Sequence, residues 1–332
     1  MKIIRYILIL FLLFANGALN SEEQSFNEWL KNFKVRALEN NISELTFDMA
    51  MSDVVFLPKV IKYDRFQPEF YEDTKTYISK RTSSLKIKKG KSLYLNNKNF
   101  INSIESQFSI DKNLLLSLMG IETNFGTYVG KMDILSSLAT LSYDKRRSDF
   151  FKNELITILQ LVEVGVIDYK ILYGSWAGAF GNFQFMPTTI KKYAIDYDKN
   201  KIIELKTIKD SFASAANYLN KIGWKKNTPC FIKINLNKNV PNKYLNSSAG
   251  NIKNKKKVKY FKKYIKNYND IKIDKNLVAA IITPDIDIIP DANTYAPAYL
   301  IFANYEKILN WNRSLRFALA VCTLKDNFKN EI

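Results

Sequence analysis

Between Asp111 and Gly223, apolar stripes at helical spacing alternate with residues that start and stop helices, and no other feature limits the possible folds as much. Asp111 can cap a helix that Gly126 ends, Pro187 suits a first helical turn, and Asp210 can cap a helix closed by Gly223. Ser25 to Leu38 carries Phe26, Trp29, Leu30 and Phe33 on one face, and Phe70 to Ser79 and Lys98 to Phe108 are further helix candidates. Asn312 to Leu324 reads as a closing helix, and the Ile-rich Leu277 to Ile289 as short strands. Asn237 to Asn276 breaks the pattern: eight Lys and no acid fall between Lys253 and Lys266, the mark of a solvated loop or small surface lobe. The expected class is therefore mainly α (α+β), with about two domains' worth of chain in 332 residues and no internal repeat.

The composition excludes much chemistry. With no histidine, there can be no Ser-His-Asp triad, no Cys-His dyad and no His-ligated zinc or haem. Acid–base work must fall to carboxylates, Lys or Tyr. Two cysteines, Cys230 and Cys322, are too few for an all-cysteine zinc site or a disulfide framework. Two buried free thiols are the default reading, and a bridge between them is left open. A formal charge of +18 invites a polyanion, yet only 8 of the 50 basic residues are Arg, the side chain that grips phosphate in pairs of bonds. No nucleic-acid partner is expected; association with an anionic cell envelope fits better. At the start, Lys2 and Arg5 precede the apolar run Ile7 to Phe14 and the small residues of 15–20, which predicts a secretory signal peptide over 1–20. No Cys follows it for a lipid anchor, and no later segment reaches the length of a membrane span, so a soluble periplasmic protein is expected.

Leu115, Leu118, Met119 and Glu122 fall at i, i+3, i+4 and i+7, so Glu122 continues an apolar stripe and must be buried or face a cleft. Desolvation and the negative end of the helix dipole would both hold it protonated, as a general acid requires. A glutamate ion-paired within a bundle is the plainer alternative. The second cluster, GSWAGAFGNFQFMP at 174–187, mixes very small residues with aromatics that can stack on sugar rings, while Ser175 and Gln184 offer a hydroxyl and an amide. Close packing of helices explains the small residues as well.

These segments carry a resemblance. GIETNFG at 120–126, LSSLATLSYD at 135–144 with Arg146 and Arg147, the 174–187 stretch, Ala216 to Leu219 with Gly223 and Trp224, and NYEKILNWNRSLRFALAVCTL at 304–324 are similar to the membrane-bound lytic murein transglycosylase B family. The resemblance implies a lysozyme-like helical core at 101–228, an N-terminal helical lobe at 21–100, and a small Lys-rich accessory lobe with short strands and the closing helix at 229–332. It implies cleavage of the MurNAc–GlcNAc bond of peptidoglycan glycan strands without water, leaving 1,6-anhydromuramic acid. Glu122 matches the single catalytic acid/base; Ser175, Gln184, Tyr218 and Asn312 match residues lining the sugar site. Arg146 and Arg147 match a basic pair that meets the peptide or carboxylate of the strand. Trp311 and Phe317 stand where relatives often carry Tyr, keeping the ring and losing the hydroxyl.

One carboxyl can serve twice in such a reaction, so no metal or organic cofactor is implied. A calcium loop present in some relatives is not expected, because Lys201 replaces the turn glycine of Asp196 to Thr207 and Thr207 the bidentate acid. Two alternatives use the same residues differently: a hydrolytic muramidase, which releases a reducing end, and a non-catalytic murein-binding protein.

Overall fold

The computed structural model describes residues 25–66, 71–329 and 331–332; the leader expected at 1–20 lies outside them, as does Phe70. Among the described residues there are thirteen α-helices. They are α1 (Phe26–Glu39), α2 (Glu44–Met51), α3 (Pro58–Arg65), α4 (Thr74–Arg81), α5 (Ser84–Asn96), α6 (Lys98–Phe108) and α7 (Lys112–Thr123). Then follow α8 (Ile134–Tyr143), α9 (Ser148–Glu163), α10 (Pro187–Tyr193), α11 (Ile208–Lys221), α12 (Ala303–Trp311) and α13 (Leu315–Phe328). The chain is mainly α with short strands, as its punctuation predicts.

Several helix ends follow the sequence rules directly. Ser25 Oγ accepts from the Glu28 N–H at 3.2 Å at the start of α1, and Pro187 stands in the first turn of α10. Other ends correct the expectation. Asp111 precedes α7, but its carboxylate accepts from the Trp224 indole N–H at 2.8 Å and caps nothing. Asp210 lies inside the first turn of α11, fully buried, where it accepts from the backbone N–H groups of Tyr197 and Glu204, both at 2.9 Å. A buried carboxylate is claimed by whichever donors would otherwise be orphaned, and here those lie in a neighbouring loop. The helix expected from Phe70 begins at Thr74, where Asp73 accepts from the Thr76 N–H at 2.9 Å. The closing helix starts not at Asn312 but at Leu315, because Ser314 supplies the cap.

The core is built around α7, in which every residue from Leu114 to Gly120 is buried. It packs against α13, α5, α6 and α11, and one apolar cluster runs from Phe33 on α1 to Phe328 on α13. The accessory region has its own smaller cluster, drawn wholly from residues between Ile234 and Phe302. Its sheet contains β3 (Phe231–Ile234), β4 (Leu245–Asn246), β5 (Lys256–Lys257), β6 (Val278–Ile282) and β7 (Ala298–Ile301), after the two-residue pair β1 (Met132–Asp133) and β2 (Tyr173–Gly174). The order is β3-β7-β6-β4, antiparallel except for β4 on β6, with β5 also pairing with β6. The Lys-rich stretch thus belongs to a small packed lobe whose lysines face outward.

The two cysteines are joined. Cys230, just before β3, and Cys322 on α13 form a disulfide with Cα atoms 6.2 Å apart and a sequence separation of 92, which corrects the default reading of free thiols. The bridge ties the accessory lobe to the helix that packs on α7. Two observable consequences follow: the unfolded, unreduced protein should titrate no free thiol, and Cys322→Ser should cost about 2–5 kcal/mol of stability, read as a shift in a urea unfolding curve.

Candidate active site

Helix α7 ends under tight control. After Thr123, residues Asn124, Phe125 and Gly126 all take left-handed backbone conformations, with φ of 50°, 60° and 77°. Thr123 is buried; its Oγ1 donates to the Asn182 carbonyl at 2.8 Å and accepts from the Gly126 N–H at 3.0 Å. Lys86, whose partial burial pushes its ammonium below the ordinary lysine range, donates to the Gly120 carbonyl at 2.5 Å. A cation is well placed at a helix C-terminus, where carbonyl groups are left without intrahelical partners. These contacts fix the last turn, and with it the half-buried Glu122.

The Trp311 indole N–H donates to Glu122 Oε1 at 3.1 Å. Behind that bond lies an aromatic stack: Trp311 on Tyr218 with ring centres 5.0 Å apart, and Tyr218 on Tyr193 at 4.3 Å. Phe185 meets Trp311 edge-on at 5.2 Å. Tyr218 is 7% exposed and its hydroxyl donates to the Asn310 carbonyl at 2.9 Å; burial pushes its pKa up to about 12, so it stays a neutral donor. Position 311 thus offers Glu122 a hydrogen-bond donor through the indole N–H of Trp311.

The 174–187 segment turns back on itself. Gly174 sits against Gly130 so closely that a Cβ on Gly130 would lie 2.0 Å from the Gly174 carbonyl oxygen, and Gly130 also has φ of 88°. Here Gly174 serves close approach of two backbone segments at the β1–β2 pair, not the packing of helices. Ser175 Oγ accepts from the N–H groups of Ala177 and Ala179 at 3.3 and 3.0 Å, bracing the turn. Gln184, at φ of 51°, donates through Nε2 to the carbonyls of Gly181 and Val129 at 2.8 and 3.2 Å. Asn182, which the sequence reading did not single out, is buried and donates to the Lys206 carbonyl and to Ser211 Oγ at 3.0 and 3.1 Å. Its signal was its place in the motif, one residue after a glycine; its role needs the loop at 205–207, which sequence proximity does not reveal.

The remaining expected site residues divide. Arg146 Nε donates to Asp64 Oδ2 at 2.8 Å, and Arg147 pairs with Asp64 Oδ1, so both guanidinium groups converge on one buried carboxylate of α3. Both keep an exposed flank, and Arg147, together with Asn312, Arg313 and Ser314, lines a cavity of about 660 Å³ that continues to Ser247 and Ser248 of the accessory lobe. Phe317 is only 3% exposed and stands in the first turn of α13 within the main core. A ring on the inner face of a helix packed on α7 is buried by that packing. In the loop at 196–207, the carboxylates of Asp196, Asp198 and Asp210 lie within 4.8 Å of one another, but Asp196 accepts from the N–H groups of Asn200 and Lys201 at 3.1 and 2.7 Å, and Asp210 is occupied as above.

Residues 25–326 match the family model described as the transglycosylase SLT domain. Over 120 residues the chain is 38% identical to the membrane-bound lytic murein transglycosylase B of Escherichia coli (strain K12), a stretch covering 36% of this chain and 33% of that protein. Among solved structures, SltB3 from Pseudomonas aeruginosa in complex with NAG-NAM-pentapeptide superposes with a TM-score of 0.81 at 30% identity, over 92% of this chain and 80% of that one. The Escherichia coli lytic transglycosylase Slt35 in complex with bulgecin A has a TM-score of 0.75 at 23% identity, over 91% of this chain and 92% of that one, a likeness of fold.

Proposed function

The chain belongs to the transglycosylase SLT domain family, and from that premise we propose that it is a lytic transglycosylase of peptidoglycan with Glu122 as its single acid/base. One observation carries the reading: in the segments 120–126, 174–187 and 311–317 Glu122 is the only acidic residue, and it is held by Trp311 at the end of a buried helix. Neutral Glu122 gives its proton to the glycosidic oxygen as the bond from the muramic anomeric carbon breaks. The substrate's N-acetyl group stabilises the positive charge left on that carbon. Glu122, now anionic, takes the proton of the C6 hydroxyl as its oxygen closes the 1,6-anhydro ring. No water is consumed and the carboxyl returns to its starting state.

In the same proposal, the cavity lined by Asn312 and Arg147 continues the path of the strand, Ser175 and Gln184 shape the turn beside the sugar site, and Tyr218 holds the Trp311 ring in place. The core at 101–228 acts with the helical lobe at 21–100 and the accessory lobe at 229–332. The protein works in the cell envelope, on the periplasmic side, where an oxidising compartment suits the Cys230–Cys322 bridge.

The decisive test is the mass of the products released from purified sacculi. Anhydro-muropeptides, lighter by one water than the hydrolytic products, support the reading; reducing ends alone would make the enzyme a muramidase, and an intact sacculus a binding protein. Trp311→Phe should keep the aromatic stack, remove the N–H donor to Glu122 and lower kcat/KM by about tenfold, the scale of one hydrogen bond to an ionisable group.

A further inference from the structure

Away from Glu122, a cavity of about 940 Å³ opens between α4 and the accessory sheet. Four lysines line it: Lys75 from α4, Lys233 from β3, and Lys238 and Lys266 from the loops beyond. Among the described residues none of the four pairs with a carboxylate, whereas Lys34, Lys80, Lys91, Lys226 and Lys255 all do elsewhere on the surface. The two acids in the lining are already engaged. Asp73 accepts from the Thr76 hydroxyl and N–H at 2.6 and 2.9 Å, and Asp285 accepts from Arg316 at 2.9 Å and from Thr74. The cavity therefore keeps a net positive charge, because Asp285 is balanced by Arg316 and Asp73, bonded to the neutral groups of Thr76, offsets only one of the four lysines; a concave wall concentrates what remains.

The rest of the lining narrows the ligand. Ile78, Leu236 and Pro297 give short aliphatic walls, Tyr295 and Tyr299 add two rings, and Asn235 and Asn293 add amides. Nucleic acid is a poor fit, because the cations are Lys rather than Arg and lie apart from one another on separate elements. Separated point charges between largely apolar walls suit a ligand with several carboxylates on a small apolar frame. We infer that this cavity binds an acidic, largely aliphatic peptide, and that its source is the stem peptide of the glycan strand. The second half of that inference rests on the proposed function. The lobe would then hold a strand by its peptide while the Glu122 site acts on its sugar, so that peptide-bearing strands are retained over bare glycan.

A free stem peptide has no glycosidic bond, so its binding is read without turnover and independently of whether sacculi are cleaved. Calorimetric titration of the protein with the free stem peptide should show binding that weakens by about tenfold in the Lys233→Gln/Lys238→Gln/Lys266→Gln variant, the scale of three solvent-facing charge pairs lost together. All three side chains are exposed, and circular dichroism checks that the fold is kept. Amidation of the peptide's carboxylates should weaken binding to the same degree. Equal affinity in parent and variant, equal affinity of the amidated peptide, or no binding at millimolar peptide would each reduce the lysines to a solvated face and overturn the inference. If an unrelated Ala/Glu peptide binds as tightly as the stem peptide, the acidic-peptide site stands and its assignment to the strand falls.

Discussion

Glu122→Gln is expected to abolish release of anhydro-muropeptides while leaving the fold and the binding of sacculi in place. Glutamine matches the shape of the carboxyl and can still accept from the Trp311 indole N–H, now at 3.1 Å from Oε1, so the last turn of α7 keeps its tether. What it cannot do is deliver a proton to the leaving oxygen or take one from the C6 hydroxyl. Both roles fall on one side chain, so the loss should be at least about a hundredfold, the low end for a single general acid or base. The measurement is the rate of anhydro-product release by mass spectrometry, with circular dichroism for folding and a pelleting assay for binding. A variant that still forms anhydro products near the parent rate would show that another group moves the proton.

How far the site could be read from sequence depends on whether each residue's partner lies nearby in the chain. Glu122 was legible because its apolar stripe, Leu115, Leu118 and Met119, sits on the same helix. The reach of Trp311 to it was not, since 189 positions separate them and only the folded α12 brings the indole there. The same holds for Asp111 and Asp210. Both stand where helix rules place a cap, yet buried donors from Trp224 and from the 197–204 loop claim their oxygens, and local preference gives way to the need to satisfy buried polar groups. The burial of Phe317 was hidden for a related reason: its motif position says nothing about which face of α13 is turned into the core, and that face carries it. The disulfide was open because spacing alone says nothing about approach, and the two cysteines meet only once the accessory lobe docks on α13.

That docking also rests on a buried ion pair, and Asp285→Ala should be among the most damaging single changes in the protein. Asp285 Oδ1 accepts from Arg316 Nη2 at 2.9 Å, from the Thr74 N–H at 3.0 Å and from the Thr74 hydroxyl at 2.5 Å, so one carboxylate joins the loop after β6, the start of α4 and the first turn of α13. Arg316 is 2% exposed, and its Nε already lacks a hydrogen-bond partner. Removing Asp285 would leave a buried guanidinium without its counter-charge and two Thr74 donors without an acceptor. Breaking such a pair from one side costs about 3–5 kcal/mol, because the remaining charge cannot be hydrated where it lies. Replacing both partners by apolar residues, Asp285→Leu with Arg316→Met, removes the stranded charge as well and should cost less than Asp285→Ala alone. Urea unfolding of the single and double variants reads the difference directly. If the single variant loses less than about 1 kcal/mol, the pair is no more than a surface-grade contact and the lobe is held mainly by apolar packing and the Cys230–Cys322 bridge.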